Sequence, residues 1–376
     1  MKKLLLGAVV ACLCSTPARG QDSEVFYLPL GVGIRIPTYD RVNGVSIPWG
    51  PDITIPPGRV VLVPTITYRS NLGEIDPAVR ITSAFGHMDT LAVYAGRGTF
   101  SNDVWIRSDL MNSLAALGVG SDARNYFRAD RATAELWHSF RTPLFVWSPF
   151  IGALYERDWS AGVAVPHENA PWSLLNRDDT LKMRRVNPPI APGHIASGLA
   201  GVRGRYEQNE LKGSFTVQVE QSFDEPKSAS GDHFTQATID GKAEFPTFRM
   251  QTFEFKTHAL VSSGSPPPQR YSYLGGAGTL ATVDLLALGG DKMFFAEAEY
   301  KIPLSRPLIP FAGTPVISAL YAVGSAGVDE LPDFIQNIGV GIGVKLINVE
   351  YHIDPNYKKT PLTHKNAFTI GFSFPL

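Results

Sequence analysis

Glu350, His352 and Asp354 alternate with Val349, Tyr351 and Ile353 close to the C-terminus. A strand sends successive side chains to opposite faces, so these three titratable groups would stand in one row. A carboxylate beside an imidazole is the pairing that general acid–base chemistry uses. Glu297, Glu299 and Lys345 fall on segments expected to lie nearby. No other element of an enzyme accompanies the row. There is no G-x-S-x-G elbow and no H-E-x-x-H pair. The two cysteines, Cys12 and Cys14, sit in an N-terminal apolar run, which excludes a cysteine nucleophile. The stretch 275–278 lacks the Gly-Lys-Ser/Thr of a phosphate cradle, and Asp329, Glu330 and Asp333 read as solvated loop charge rather than calcium ligands. The row therefore reads as the polar wall of a hydrated lumen. The expectation is a protein that is not an enzyme, with no cofactor and no metal.

The elements that would carry such a wall are strands. The final residues AFTIGFSFPL place Phe368, Ile370, Phe372, Phe374 and Leu376 on one side and Thr369, Gly371 and Ser373 on the other. One apolar and one small, polar face suit the closing strand of a barrel in a membrane. The same period of two recurs in Leu30–Ile36, in Phe215, Val217 and Val219, in Phe253, Phe255, Ala259 and Val261, and in Ile338, Val340, Ile342, Val344 and Leu346. Arg203, Arg205, Lys256, Lys345, Glu220, Glu254 and Glu350 fall on the other face, predicting a lumen of mixed sign. No segment after the first fourteen residues has the ~18 apolar residues of a spanning helix. The chain is all-β: a transmembrane antiparallel β-barrel of about 16 strands, although the pattern does not separate sixteen from fourteen.

Residues 1–20 read as a signal peptide: Lys2 and Lys3, an apolar run at 4–14, then small residues at Ala18 and Gly20. Val9-Val10-Ala11-Cys12 resembles a lipobox, which leaves lipidation at Cys12 open. Residues 21–376 form a single outer-membrane barrel domain. The net charge of −1 and the absence of a basic block argue against nucleic acid. Counting back from a periplasmic C-terminus, inside turns fall at Ile347-Asn348, 303–315, 247–248, 207–210, 143–144, Gly86-His87-Met88 and 51–57. Outside loops fall at 355–366, 327–335, 264–290, 224–232, 158–193, 101–130 and 70–76. Short and long connections alternate as they do in such barrels, with 303–315 out of pattern. The loop 101–130 predicts a helix capped by Ser108 or Asp109, with Leu110, Met111, Leu114 and Leu117 at helical spacing over the barrel mouth.

One loop has more than periodicity. Residues Leu274, Gly275, Gly276, Ala277, Gly278, Thr279 and Leu280 precede a strand containing Glu299, Tyr300, Lys301, Ile302 and Pro303. This order resembles the BamA/TamA superfamily of outer-membrane barrels, the bacterial surface antigen family. There a long loop with an LGG…LRG(F/Y)-like motif precedes an E-Y-R-x-P strand. The small residues at 321–327 and the Gly-alternating strand at 337–346 look similar too. Tyr39-Asp40-Arg41-Val42-Asn43-Gly44 resembles an N-R-V-x-G opening found in members without a large periplasmic part. The resemblance is best over 250–376. Ala281, Thr282 and Val283 stand where that family has Arg, Gly and an aromatic; its docking repeats are absent, and Leu376 stands where it usually ends in an aromatic.

The resemblance implies a barrel that assists insertion or translocation of proteins or lipids at the bacterial outer membrane. Its partners would be outer-membrane lipids and client membrane proteins or lipids, and the barrel itself would be monomeric. The alternatives are a passive channel or structural barrel derived from that family, and a membrane-embedded hydrolase using His352. The loop 264–290 is expected inside the lumen, held by glycine-permitted tight turns rather than by a buried ion pair.

Overall fold

A computed structural model describes residues 33–56, 59–86, 88–161, 173–174, 185–208, 211–223, 233–248, 250–304, 306, 313–344 and 347–372. The signal peptide, Lys345, Phe374, Leu376 and the side chain of Phe372 lie outside the described residues.

Among the described residues, twenty strands and one α-helix follow in chain order. They are β1 (Thr38–Asp40), β2 (Gly44–Trp49), β3 (Ile53–Ile55), β4 (Val60–Arg69), β5 (Glu74–Phe85), β6 (Asp89–Phe100), α1 (Asp109–Val119), β7 (Phe127–His138), β8 (Phe140–Arg141), β9 (Phe145–Ser160), β10 (Gly193–Gln208), β11 (Leu211–Phe223), β12 (Phe234–Pro246), β13 (Thr252–Gly264), β14 (Ser272–Leu274), β15 (Leu288–Gly290), β16 (Lys292–Pro303), β17 (Val316–Gly327), β18 (Ile335–Val344), β19 (Ile347–Ile353) and β20 (Asn366–Phe372). Every ladder is antiparallel, and all join consecutive strands except β2 with β4, β7 with β9 and β13 with β16. β2 and β3 share one register on β4, broken where Pro51 has no N–H to give. β7 and β8 likewise share one register on β9. Counting each split pair once turns the eighteen-stranded sheet into sixteen staves. The separate two-stranded sheet, β14 with β15, belongs to the loop between β13 and β16.

The facing follows the period of two. On β18, Ile338, Val340 and Ile342 are exposed while Asn337 is fully buried. On β20, Phe368 and Ile370 are exposed, as the closing strand requires. On β13, Phe255 and Val261 are exposed, whereas His258, Leu260 and Ser262 are buried. The polar face is thus the inner one and the apolar face the outer one, the reverse of a soluble protein. No helix among the described residues is long and apolar enough to cross a membrane.

Boundaries differ in three places. The first hairpin turns at 41–43, beyond the alternating run Leu30–Ile36, because the Asp40 carboxylate accepts the N–H groups of Val42 (2.9 Å) and Asn43 (2.7 Å). The strand after loop 101–130 begins earlier, at Phe127. Helix α1 forms with Ser108 as its N-cap, but its fully buried face is Asn112, Ser113, Ala115, Ala116 and Gly118. Leu110, Met111, Leu114 and Leu117 are only half-buried. Small side chains face the wall because only they let a helix backbone come that close.

Candidate functional site

Two long loops pack against the inner face of the wall: 101–126, which carries α1, and 265–291, which carries β14 and β15. The second reaches the inner face of strands around most of the barrel. Leu274, Leu280 and Val283 are buried with Leu260 of β13, Met293 and Phe295 of β16, and Ala322 and Ala326 of β17. Thr282 donates its N–H to Asn337 Oδ1 of β18 (3.0 Å) and accepts from Asn337 Nδ2 (2.7 Å). These Thr282 contacts fall within the triplet Ala281-Thr282-Val283, where the resemblance led us to expect an arginine. A neutral two-way pair occupies the place of an ion pair.

The motif 274–280 is a knot of tight turns. Gly275, Gly276 and Gly278 have φ of 126°, 82° and 94°, and a Cβ on Gly275 would lie 2.0 Å from the Asp284 carbonyl oxygen. Gly275 N–H donates to Thr279 Oγ1 (3.0 Å), and Gly276 N–H is shared by the carbonyls of Leu280 and Val283. Glycine permits this path and no other residue would.

The expectation that no buried ion pair holds this loop is overturned. Arg270, 4% exposed, lies 2.5 Å from Glu156 of β9 and 3.2 Å from Glu220 of β11. Burial alone would lower its pKa; the charges of Glu156 and Glu220 outweigh that and hold it above the usual arginine range. Beside it, Gln269 donates to Asp158 (3.0 Å). The loop therefore enters the lumen on an arginine eleven positions before Ala281. Its signal in the sequence, an arginine beside a Pro-Pro-Pro run, has no meaning until β9 and β11 are folded beside it.

The two loops also brace each other. Arg107 donates to the carbonyl of Ala277 (2.7 Å). Lys256 reaches from β13 to the carbonyls of Ile106 (3.2 Å) and Gly278 (3.3 Å). Trp105 stacks on the His258 ring at 4.2 Å. Burial pushes the Asp103 carboxyl up to about 7, against the N–H of Asn125 and the charges of Arg185 and Arg124. From the first hairpin, Arg41 donates to the carbonyls of Arg124 (3.1 Å) and Arg185 (2.5 Å), pinning the loops that follow β6 and β9. The Tyr39–Gly44 motif thus acts as a clamp over the mouth.

The expected titratable row is present but dispersed. His352 Nε2 lies 3.0 Å from Glu350 and 3.3 Å from Thr369 Oγ1. Asp354 instead accepts the N–H of Asn356 in the next turn (2.9 Å). Glu299 and Tyr300 sit in β16; Lys301 bridges Glu299 (3.2 Å) and Glu254 (2.7 Å), and Pro303 ends the strand. Sequence reasoning missed a different constellation: His258 Nδ1 lies 2.5 Å from Asp240, and His258 Nε2 lies 3.2 Å from Ser272 Oγ. This is the order of a serine nucleophile, its base and an orienting carboxylate. Ser272 is 1% exposed and Trp105 covers the imidazole, so no acyl group reaches the hydroxyl in this state. The three residues tie the start of the lumen loop to the wall. Among the described residues no cluster has the make-up of a metal site.

Among the described residues the ladders of the wall join every stave to the next from β1 to β20. β1 pairs with β2 and β20 pairs with β19, but among the described residues no backbone ladder joins β1 to β20.

No family model matches the chain, and no curated protein does. Solved structures do. CdiB from Acinetobacter baumannii superposes with a TM-score of 0.52 at 11% identity, over 89% of this chain and 57% of that one. CdiB from Escherichia coli gives 0.50 at 12%, over 90% and 61%. BamA from Haemophilus ducreyi lacking POTRA domains 1–3 gives 0.55 at 11%, over 90% and 69%. The chain spans less than two thirds of the length of either CdiB structure. At such identities the likeness speaks for the fold: this chain has the fold of the BamA/TamA-type barrels.

Proposed function

We propose that this chain is a bacterial outer-membrane barrel that assists insertion or translocation of proteins or lipids at that membrane. The seam carries the reading. Among the described residues the ladders of the wall have one interruption, between β1 and β20, while two mutually braced loops pack against its inner face. A route along the wall asks for less rearrangement than a route through the centre. The likeness to BamA and CdiB barrels supports the same reading. The clients expected are membrane proteins or lipids, and the barrel is expected to work as a monomer.

The test is reconstitution in phospholipid vesicles with an unfolded, radiolabelled client barrel, scored by the heat-modifiable gel shift of the folded client. Faster client folding than in empty vesicles supports the proposal, and an equal rate refutes it. The packed lumen argues against a passive channel, and the sealed Ser272 and dispersed Glu350–His352–Asp354 row argue against a hydrolase.

A further inference from the structure

Val45 donates its N–H to Ser70 Oγ (2.8 Å), and its carbonyl accepts the Ser70 N–H (3.0 Å), so its polar groups point toward the β4 side. Its partner across the ladder is Tyr39. In an antiparallel pair of this kind both residues point their backbone groups away from each other. The N–H of Tyr39 therefore faces the seam, where the last strand of a zipped barrel would accept it. It donates instead to Ser113 Oγ of α1, at 3.0 Å. Ser113 in turn donates to the Asp109 carbonyl (2.8 Å), which orients the hydroxyl. Helix α1 packs against both β1 and β20, with Ala115 and Ala116 at most 1% exposed. Its C-terminal side is tied to the first hairpin through Asp122, which accepts from Arg41 N (3.0 Å) and from Asn112 Nδ2 (2.9 Å).

We infer that α1 is the latch of the seam: a lumen helix closes its outer end from inside by taking a backbone donor that strand pairing would otherwise take. The seam opens or zips only as the helix withdraws. Withdrawal exposes the Tyr39 N–H and frees the inner faces of β1 and β20 together, because one helix covers both. This stands on the contacts of α1 alone; a barrel that passes no client would carry the same latch.

The test uses the full chain in lipid nanodiscs, with Cys12 and Cys14 replaced and spin labels at Tyr39→Cys and Phe368→Cys on either side of the seam. The parent should give one narrow label–label distance. Ala116→Phe, which leaves the helix no room against the wall, should broaden it toward longer distances while trypsin gains access to Arg107. An unchanged distance in a variant whose Arg107 is cleaved would overturn the inference. A second measurement does not depend on Ala116→Phe folding. Ser113→Ala should speed amide exchange at Tyr39 by about ten-fold, and Ser113→Thr, which keeps the hydroxyl, should not. Equal exchange in Ser113→Ala and the parent would also overturn it.

Discussion

Replacing Arg270 with Met removes the cation that lets three carboxylates share one interior. Glu156, Asp158 and Glu220 are 0%, 2% and 7% exposed. Breaking a buried ion pair by removing one partner costs about 3–5 kcal/mol, because the other charge stays behind in low dielectric. Arg131 still holds Glu156 at 2.7 Å, so the lower end applies, about 3 kcal/mol. The loss falls on docking of the loop 265–291, since water solvates the carboxylates once the loop leaves. A change of about 3 kcal/mol lowers the docked-to-undocked ratio roughly a hundred-fold. Planar-bilayer recording should then show a large rise in open time, and chymotrypsin should cut within the loop, after Tyr271 or Tyr273. The heat-modifiable gel shift should persist, because Arg270 belongs to no stave. Arg270→Lys, which keeps the charge without the fork, should fall between. Parent-like conductance and protease resistance in Arg270→Met would refute the assignment of Arg270 as the loop's anchor.

Three further outcomes are expected. Gly275→Ala places a Cβ against the Asp284 carbonyl and should release the loop as Arg270→Met does, read by the same chymotryptic cleavage. Ile342, 53% exposed on the outer face, should lose about 2–4 kcal/mol on change to Arg if it lies at mid-bilayer, measured by urea unfolding in vesicles. Asp103 has its folded pKa raised to about 7 above an ordinary carboxylate value, so the stabilisation it brings is full at acid pH and is lost as pH rises through about 7. Cleavage at Arg107 should therefore be faster at pH 8 than at pH 5, and Asp103→Asn should flatten that difference.

The staves were legible because a one-residue alternation marks the outer face of most of them, even though residues such as Leu260 and Phe295 turn inward. Ile338, Val340 and Ile342 against Asn337, Gly339 and Gly341 specify a face without any knowledge of neighbours. The short inside turns then follow from parity. The lumen was not legible. Arg270 meets Glu156 and Glu220 across long stretches of chain, and nothing local marks the three as partners. Helix α1 shows the same failure in reverse. Its leucines announce a helix, but its small residues are what the wall covers, since close approach rather than hydrophobicity decides that contact. Ser272, His258 and Asp240 lie on three elements, and only the folded loop brings the hydroxyl to the imidazole.

The mutual bracing of the two lumen loops has a mechanical consequence. Arg107 ties the two loops of the hub together, and Lys256, Arg270 and Asn337 act as spokes between hub and rim, meeting the rim at β9, β11, β13 and β18. A spoked cylinder resists ovalisation wherever spokes meet the rim, so an applied load concentrates its strain elsewhere. Among the described residues the rim lacks one ladder, between β1 and β20, and there α1 packs against both lips. Compliance is therefore confined to a single line along the wall, and a lateral stress in the bilayer would be felt there first.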